Sequence, residues 1–198
     1  MEKAANPARG LQGRVVSPVI ELYFEICQLK QLYRKGWLLR GVPPERCESV
    51  AEHSFGVAML ALCSLEGRPE LDAPKVLKLA LIHDIGEIDA GDITPADGIT
   101  PEQKRDRELE CVRRVTRRLP GREEWRRLFI EYLEVGSPEA AFIHELEKVE
   151  MALQATVYDR QGFTGMSEFR DSARQVITDR RLSELADELG KLAADANH

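Results

Sequence analysis

Three observations predict an all-α fold for this chain. Leu, Ala, Glu, Arg and Lys dominate, whereas aromatic residues make up only 6% and alternating runs of Val, Ile, Thr and Tyr are scarce, which argues against a β-sandwich or barrel. Apolar residues recur at three- and four-residue steps in successive segments, the period of a helix face. Pro and Gly, with Ser, Thr and Asp beside them, punctuate those segments where helices start and stop. A chain of 198 residues, 43% hydrophobic and 31% charged, can bury one core under a solvated surface and leaves little room for a second.

Taken in order, residues 1–17 carry Pro7, Gly10 and Gly13 without an apolar period and read as a mobile tail. Val19, Leu22, Tyr23, Ile26, Leu29 and Leu32 or Tyr33 share one face of a first helix, expected to end near Gly36. Gly41, Pro43 and Pro44 make the next stretch a loop. Ser49 and Glu52 have capping-box spacing and open an amphipathic helix that runs to Leu65. Gly67 and Pro69 break it; Asp72 with Pro74 restarts a helix whose apolar run VLKLALIHDIG, to Gly86, should be among the most buried. The segment IDAGDITPADGITPEQ is too punctuated for a simple connection, and loops of that kind often carry function. Further helices are expected from Pro101 to about Leu119, Arg122 to Leu133, Pro138 to about Tyr158, and roughly Ser183 to Leu192, which makes 18–192 one domain and 193–198 a flexible end.

Charge and cysteine usage narrow the function. Lys and Arg number 28 against 34 Asp and Glu, and a net charge of -6 gives no electrostatic reason to expect a long nucleic acid. Between Pro101 and Glu131 basic residues outnumber acidic ones, but the signs interleave at helix spacing, the pattern of a solvated face laced with weak ion pairs. Cys27, Cys47, Cys63 and Cys111 lack CxxC spacing, and the start of the chain lacks the apolar stretch of a signal peptide. A cytoplasmic protein with no membrane partner is expected.

The chemistry gathers around the histidines. His53 follows Glu52 inside one buried-looking helix, and His83 and Asp84 sit side by side where the most apolar helix reaches its glycine end. A buried, unpaired charge costs several kcal/mol, so an imidazole beside a carboxylate there calls for compensation, most simply a divalent cation. Such a donor set suits Mn, Fe, Co, Ni or Zn better than Ca, and the lack of thiolate ligands argues against structural zinc. Glu87 lies four residues after His83, so one more helical turn would stack its carboxylate on the same face, where it suits a general acid or base. Asp92 offers a second carboxylate from the irregular loop; His144 reads as a surface histidine.

The pieces ESVAEHS, LALIHDIGE, AGDITPAD and ELEKVEMALQA, in that order, resemble the HD-domain metal phosphohydrolases, and among them the 5'-deoxynucleotidases of the HD domain-containing protein 2 type, from about Val19 to about Leu189. The resemblance implies an HD-domain helical bundle with a divalent metal site between helices, held by His53, His83, Asp84 and, from the later helix, Glu147, where the family has aspartate. It implies Glu87 and Asp92 as the acidic residues that activate water and assist the leaving group. Arg34, Trp37 and Arg40 in RKGWLLRGV become candidates for holding the nucleotide, Arg by bidentate phosphate contact and Trp by stacking; on residue type alone Trp37 is a hydrophobic plug. The resemblance further implies a homodimer, for which the apolar faces of the first and last helices offer surface.

The expected activity is that of a metal-dependent phosphoric monoester hydrolase, with Mn, Co, Ni or Zn, or Mg, as cofactor and a nucleoside monophosphate as its small-molecule partner. Deoxyribonucleoside 5'-monophosphates would give deoxyribonucleosides and phosphate. Two rival readings stay open: an HD phosphohydrolase on another nucleotide phosphoester, and a non-catalytic nucleotide-binding module in which Glu147 in place of Asp marks lost chemistry.

Overall fold

Side-chain caps set the beginnings of the main helices in the computed structural model, which describes residues 2–195. Ser17 accepts from the Ile20 N–H ahead of α1 (Pro18–Ile26). A five-residue α2 (Lys35–Leu39) follows. The reciprocal Ser49/Glu52 capping box opens α3 (Val50–Ser64), as its spacing predicts. Asp72 caps α4 (Ala73–Ile82), and one turn, α5 (Glu87–Ala90), comes next. Thr100 and Gln103 form the box of α6 (Pro101–Thr116). After α7 (Arg122–Leu133), Ser137 with Pro138 at the first helical position starts α8 (Pro138–Arg160). The chain ends in α9 (Ser167–Val176) and α10 (Arg180–Asp195). Among the described residues there are two isolated β-bridges and no strand.

The long α8 is the axis of the bundle. It packs against α3, α4, α7, α9 and α10, while α6 lies on α5 and α7. Val57, Ala61, Val76, Leu79, Ala80, Phe129, Ile143, Leu146 and Val149 are fully enclosed where these helices meet. A smaller apolar cluster of Trp37, Val42, Cys47, Ala155, Tyr158 and Met166 closes the end of the bundle beside α2.

Three segments depart from the sequence expectation. The first helix stops at Ile26 rather than near Gly36; a 3-10 turn, Cys27–Lys30, follows, and α2 is separate. The apolar period continues through this stretch, but the backbone leaves the helix to bond elsewhere: Arg34 N–H donates to Glu48 O at 3.0 Å and Val50 N–H to Leu32 O at 3.0 Å. The HDIG helix also stops early, at Ile82, and tightens into successive three-residue turns, Ile85 N–H to Ile82 O and Glu87 N–H to Asp84 O. Gly86 sits so close to α6 that a Cβ there would fall 2.5 Å from Glu108 Cβ and 2.9 Å from its Cα. The third, α9, is absent from the sequence reading. Residues 2–17 hold a 3-10 turn, Pro7–Leu11, and Lys3 N–H donates to Gln31 O at 2.6 Å. Of the expected flexible end, 196–198 lie outside the described residues.

Candidate metal centre and substrate cleft

His53 comes from the first turns of α3 and His83 and Asp84 from the end of α4; the packing of α3 on α4 brings them together. One donor atom of each lies within 4.8 Å of the others. His83 Nδ1 is 2.8 Å from Ala80 O; a carbonyl only accepts, so Nδ1 carries a proton and Nε2 is left to face Asp84. His83 Nε2 stands 3.1 Å from Asp84 Oδ2, yet without hydrogen-bond alignment, and is buried with no hydrogen-bond partner. His53 Nε2 faces the same oxygen at 3.8 Å.

The electrostatics match an ion-binding centre. Burial alone would lower His83, but Asp84, and beyond it Glu147, raise it to about 9. For Asp84, burial is outweighed by His83, His53 and Arg34, which hold the carboxyl below its usual range. Burial pushes His53 down to about 3, so its imidazole is neutral near pH 7. Glu87 is enclosed, its Oε2 has no partner, and burial, then Asp84 and Asp92, push it well above an ordinary glutamate. The buried, unpartnered His83 Nε2 beside an imidazole–carboxylate set is what a divalent cation would satisfy. The donor set therefore fits a metal.

His53, Asp84 and Glu87 line a cleft of about 600 Å³ with Arg34, Trp37, Arg40, Asp92, Lys104, Tyr132, Glu147 and Phe169, while His83 lies buried behind Asp84. Largely buried Arg34 bonds Asp92 Oδ1 at 3.3 Å; burial opposes its charge, but Asp92 first, then Asp84, Glu87 and Glu48, keep it firmly ionised. The other Asp92 oxygen accepts from the Lys35 N–H at the start of α2, so α2 and the loop after α5 are joined at this aspartate.

Glu147, on α8, lines the cleft but stands outside the three-donor cluster; its Oε1 accepts from the buried Tyr132 hydroxyl. Trp37 is 2% exposed, its indole N–H donates to Glu48 Oε1 at 2.7 Å, and its ring packs on Phe169 at 4.2 Å. Its edge is thus held at the cleft wall by the plug-like packing that residue type suggests. Arg40 is at the exposed rim, where its Nη2 bonds Glu168 Oε2 at 2.8 Å.

Two expectations are corrected. Glu87 reaches the site from a tight turn and α5 rather than from a continuing helix, because Gly86 is pinned against Glu108. His144 is half-buried rather than a surface residue: it stacks on Tyr132 at 4.2 Å and 7°, and its Nε2–H donates to Tyr132 O at 2.8 Å. Sequence reasoning missed Glu48, Tyr132 and Glu150. Glu150 carried a signal, since it lies three residues after Glu147, one turn along the same helix; the other two had none.

The description "HD domain" fits residues 26–189. The chain is 33% identical over 190 residues to the 5'-deoxynucleotidase HDDC2 of Bos taurus, covering 94% of this chain and 91% of that one. It is 37% identical over 166 residues to the protein of that name from Homo sapiens, with 82% and 79% covered. Among solved structures it resembles a protein from Pyrococcus horikoshii, at 32% identity and a TM-score of 0.72 over 87% of this chain and 99% of that one. It also resembles a predicted metal-dependent phosphohydrolase from Magnetospirillum magnetotacticum, at 26% identity and a TM-score of 0.67 over 91% and 95%. With the helical bundle and the His53, His83 and Asp84 cluster already in view, these matches establish that the chain belongs to the HD-domain family.

Proposed function

We propose that this protein is a metal-dependent 5'-deoxynucleotidase that hydrolyses deoxyribonucleoside 5'-monophosphates to the nucleoside and phosphate. The observation that carries the reading is the convergence of His53, His83 and Asp84, with His83 Nε2 buried and unpartnered, at the floor of a cleft that His53 and Asp84 line together with a firmly ionised arginine. Curated relatives named as 5'-deoxynucleotidases match most of the chain and support the substrate class.

His53, His83 and Asp84 would hold the cation, with Glu147 as fourth ligand once its carboxylate turns from Tyr132. When bound, a divalent metal polarises the phosphoryl group and lowers the pKa of water; Mn, Co, Ni or Zn suits the donors, with Mg as a further option. Arg34 takes the phosphate by charge-assisted hydrogen bonds, and Arg40 meets it at the rim. Trp37 and Phe169 form the wall against which the nucleoside rests. Glu87, protonated by preference in the metal-free cleft and ionised once a dication offsets Asp84 and Asp92, would accept the proton of the attacking water. Asp92, released as the phosphate competes for Arg34, would take that proton from Glu87 and pass it to the leaving 5'-oxygen, so that the proton lost by water ends on the nucleoside.

The protein acts in the cytoplasm as a homodimer. No helix among the described residues is long and apolar enough to cross a membrane, and α1 leaves Val19, Ile20 and Tyr23 exposed for a second copy, as α10 leaves Leu185.

Metal-stripped protein, reloaded with Mn, Co, Ni, Zn or Mg, is to be assayed for phosphate release from ribo- and deoxyribonucleoside monophosphates. The expected result is turnover with at least one transition metal and a preference for deoxyribonucleotides. Silence with every metal, together with turnover in Glu147→Asp, would leave this chain a non-catalytic nucleotide-binding module.

A further inference from the structure

The side of His53 facing away from Asp84 holds chemistry that the proposed reaction does not use. Two acids from different elements meet there, Glu48 before α3 and Glu150 on α8; one oxygen of each lies within 4.8 Å of a His53 ring nitrogen and of each other. Glu150 Oε2 is 2.6 Å from His53 Nδ1, the side chains being 9% and 2% exposed. A neutral imidazole has a single N–H. If a carboxylate accepts it at Nδ1, the lone pair is left on Nε2, the atom that faces Asp84.

A second observation comes from α3 itself. Gly56 lies one turn after His53 in the interior of the helix, where glycine weakens helical structure relative to alanine. It is not among the positive-φ glycines, so backbone freedom does not explain it. Space does: a Cβ at position 56 would fall 2.7 Å from Glu150 Oε1 and 3.1 Å from its Cγ. The carboxylate that meets His53 occupies the volume left by the missing side chain.

We infer that Glu150 is the positioning residue of His53, fixing the Nδ1–H tautomer and the aim of Nε2, and that Gly56 is the clearance through which Glu150 reaches the ring. The consequence for metal affinity rests on the reading of His53 as a metal ligand; the tautomer does not.

The full-length protein tests both. Histidine nitrogen NMR on the metal-free form reads the tautomer, and cobalt titration reads the dissociation constant, for the parent, Glu150→Ala, Glu150→Gln, Gly56→Ala and the control Glu139→Gln, a carboxylate that binds Lys75 instead. The expected parent carries its His53 proton on Nδ1. Glu150→Ala and Gly56→Ala lose that preference and weaken cobalt about 10- to 100-fold, while Glu150→Gln, whose carbonyl still accepts the N–H, and the control stay close to the parent. A parent protonated on Nε2, or a Glu150→Ala that keeps both tautomer and affinity, overturns the inference. Should Glu150→Ala fail to fold, Gly56→Ala decides, since it leaves every charge in place. Gly56→Ala behaving as the parent while Glu150→Ala does not removes the clearance and keeps the positioning role. A parent with the expected tautomer that binds no cobalt defeats the metal reading of the cleft instead.

Discussion

At the scale of single residues, the Glu147 carboxylate, proposed as fourth metal ligand, is already held by the Tyr132 hydroxyl. Its extra methylene, relative to aspartate, carries the carboxylate outward by roughly one bond length, and here one oxygen rests on the Tyr132 hydroxyl. A charge-assisted hydrogen bond of this kind is worth about 1.5–3 kcal/mol, and metal binding that recruits Glu147 must give part of it up. Tyr132→Phe is therefore expected to lower the melting temperature of the metal-free protein and to enlarge the rise on adding metal. Differential scanning fluorimetry with and without cobalt checks this; an unchanged or smaller rise would mean that Glu147 stays off the metal. Glu87 has a simpler expectation. Glu87→Gln keeps its shape and removes the proton acceptor, so kcat should fall by about 10²-fold or more with KM nearly constant, read by steady-state kinetics.

At the scale of elements, α10 is fastened by one aspartate. Asp179 accepts the Leu182 N–H at 3.0 Å, as a helix cap does, and both its oxygens take Arg68 at 2.6 Å. The Arg68 hydrogen bonds hold Asp179 down at about 2. A depressed carboxylate gives stability that is fully present above its unfolded pKa near 3.9 and is lost as pH falls toward the folded value. Asp179→Ala is expected to cost about 1 kcal/mol at pH 7, mostly from the lost cap, because the partly exposed ion pair is screened by solvent. The gap to the parent should narrow as pH drops from about 4 toward 2, followed by urea denaturation at a series of pH values. The element boundaries show what the sequence could carry. Ser49 announced its helix because a cap is a local hydrogen bond, and Pro101 and Pro138 marked theirs because proline suits the first helical turn. The break at Ile26 was invisible, because residues 27–34 keep their apolar period and leave the helix only to bond residues 48–50. Nor did α9 stand out, although its apolar Phe169 and Ala173 lie four residues apart; Phe169 packs against Trp37, more than a hundred residues earlier.

At the scale of the whole molecule, the metal should act as a staple between α3 and α4. A ligand that binds only the folded state at 100 times its dissociation constant adds about 2.7 kcal/mol, or roughly 5–10 °C for a chain of this size. Chelation should therefore lower the melting temperature by that amount in the parent and by little in His83→Ala. Light scattering addresses the assembly: a homodimer should show twice the 22.4 kDa chain mass, and Tyr23→Asp on the exposed face of α1 should shift it toward one. A mass of 22.4 kDa for the parent would contradict the dimer.

By itself the sequence determined the helical class, most helix starts, the HD pair, its upstream histidine and the acidic loop that follows. Those features are local: a cap, a 3.6-residue period or an adjacent His and Asp is written within a few positions. Only the tertiary structure decided which faces meet. Asp92 holds Arg34 from 58 residues away, Glu150 reaches His53 across 97, and Glu147 turns to Tyr132 rather than to the three-donor cluster. Periodicity states that a helix face is buried and says nothing about its partner; that is set by the packing of α3 and α4 against α8, where side chains distant in the chain compete for the same few ångströms.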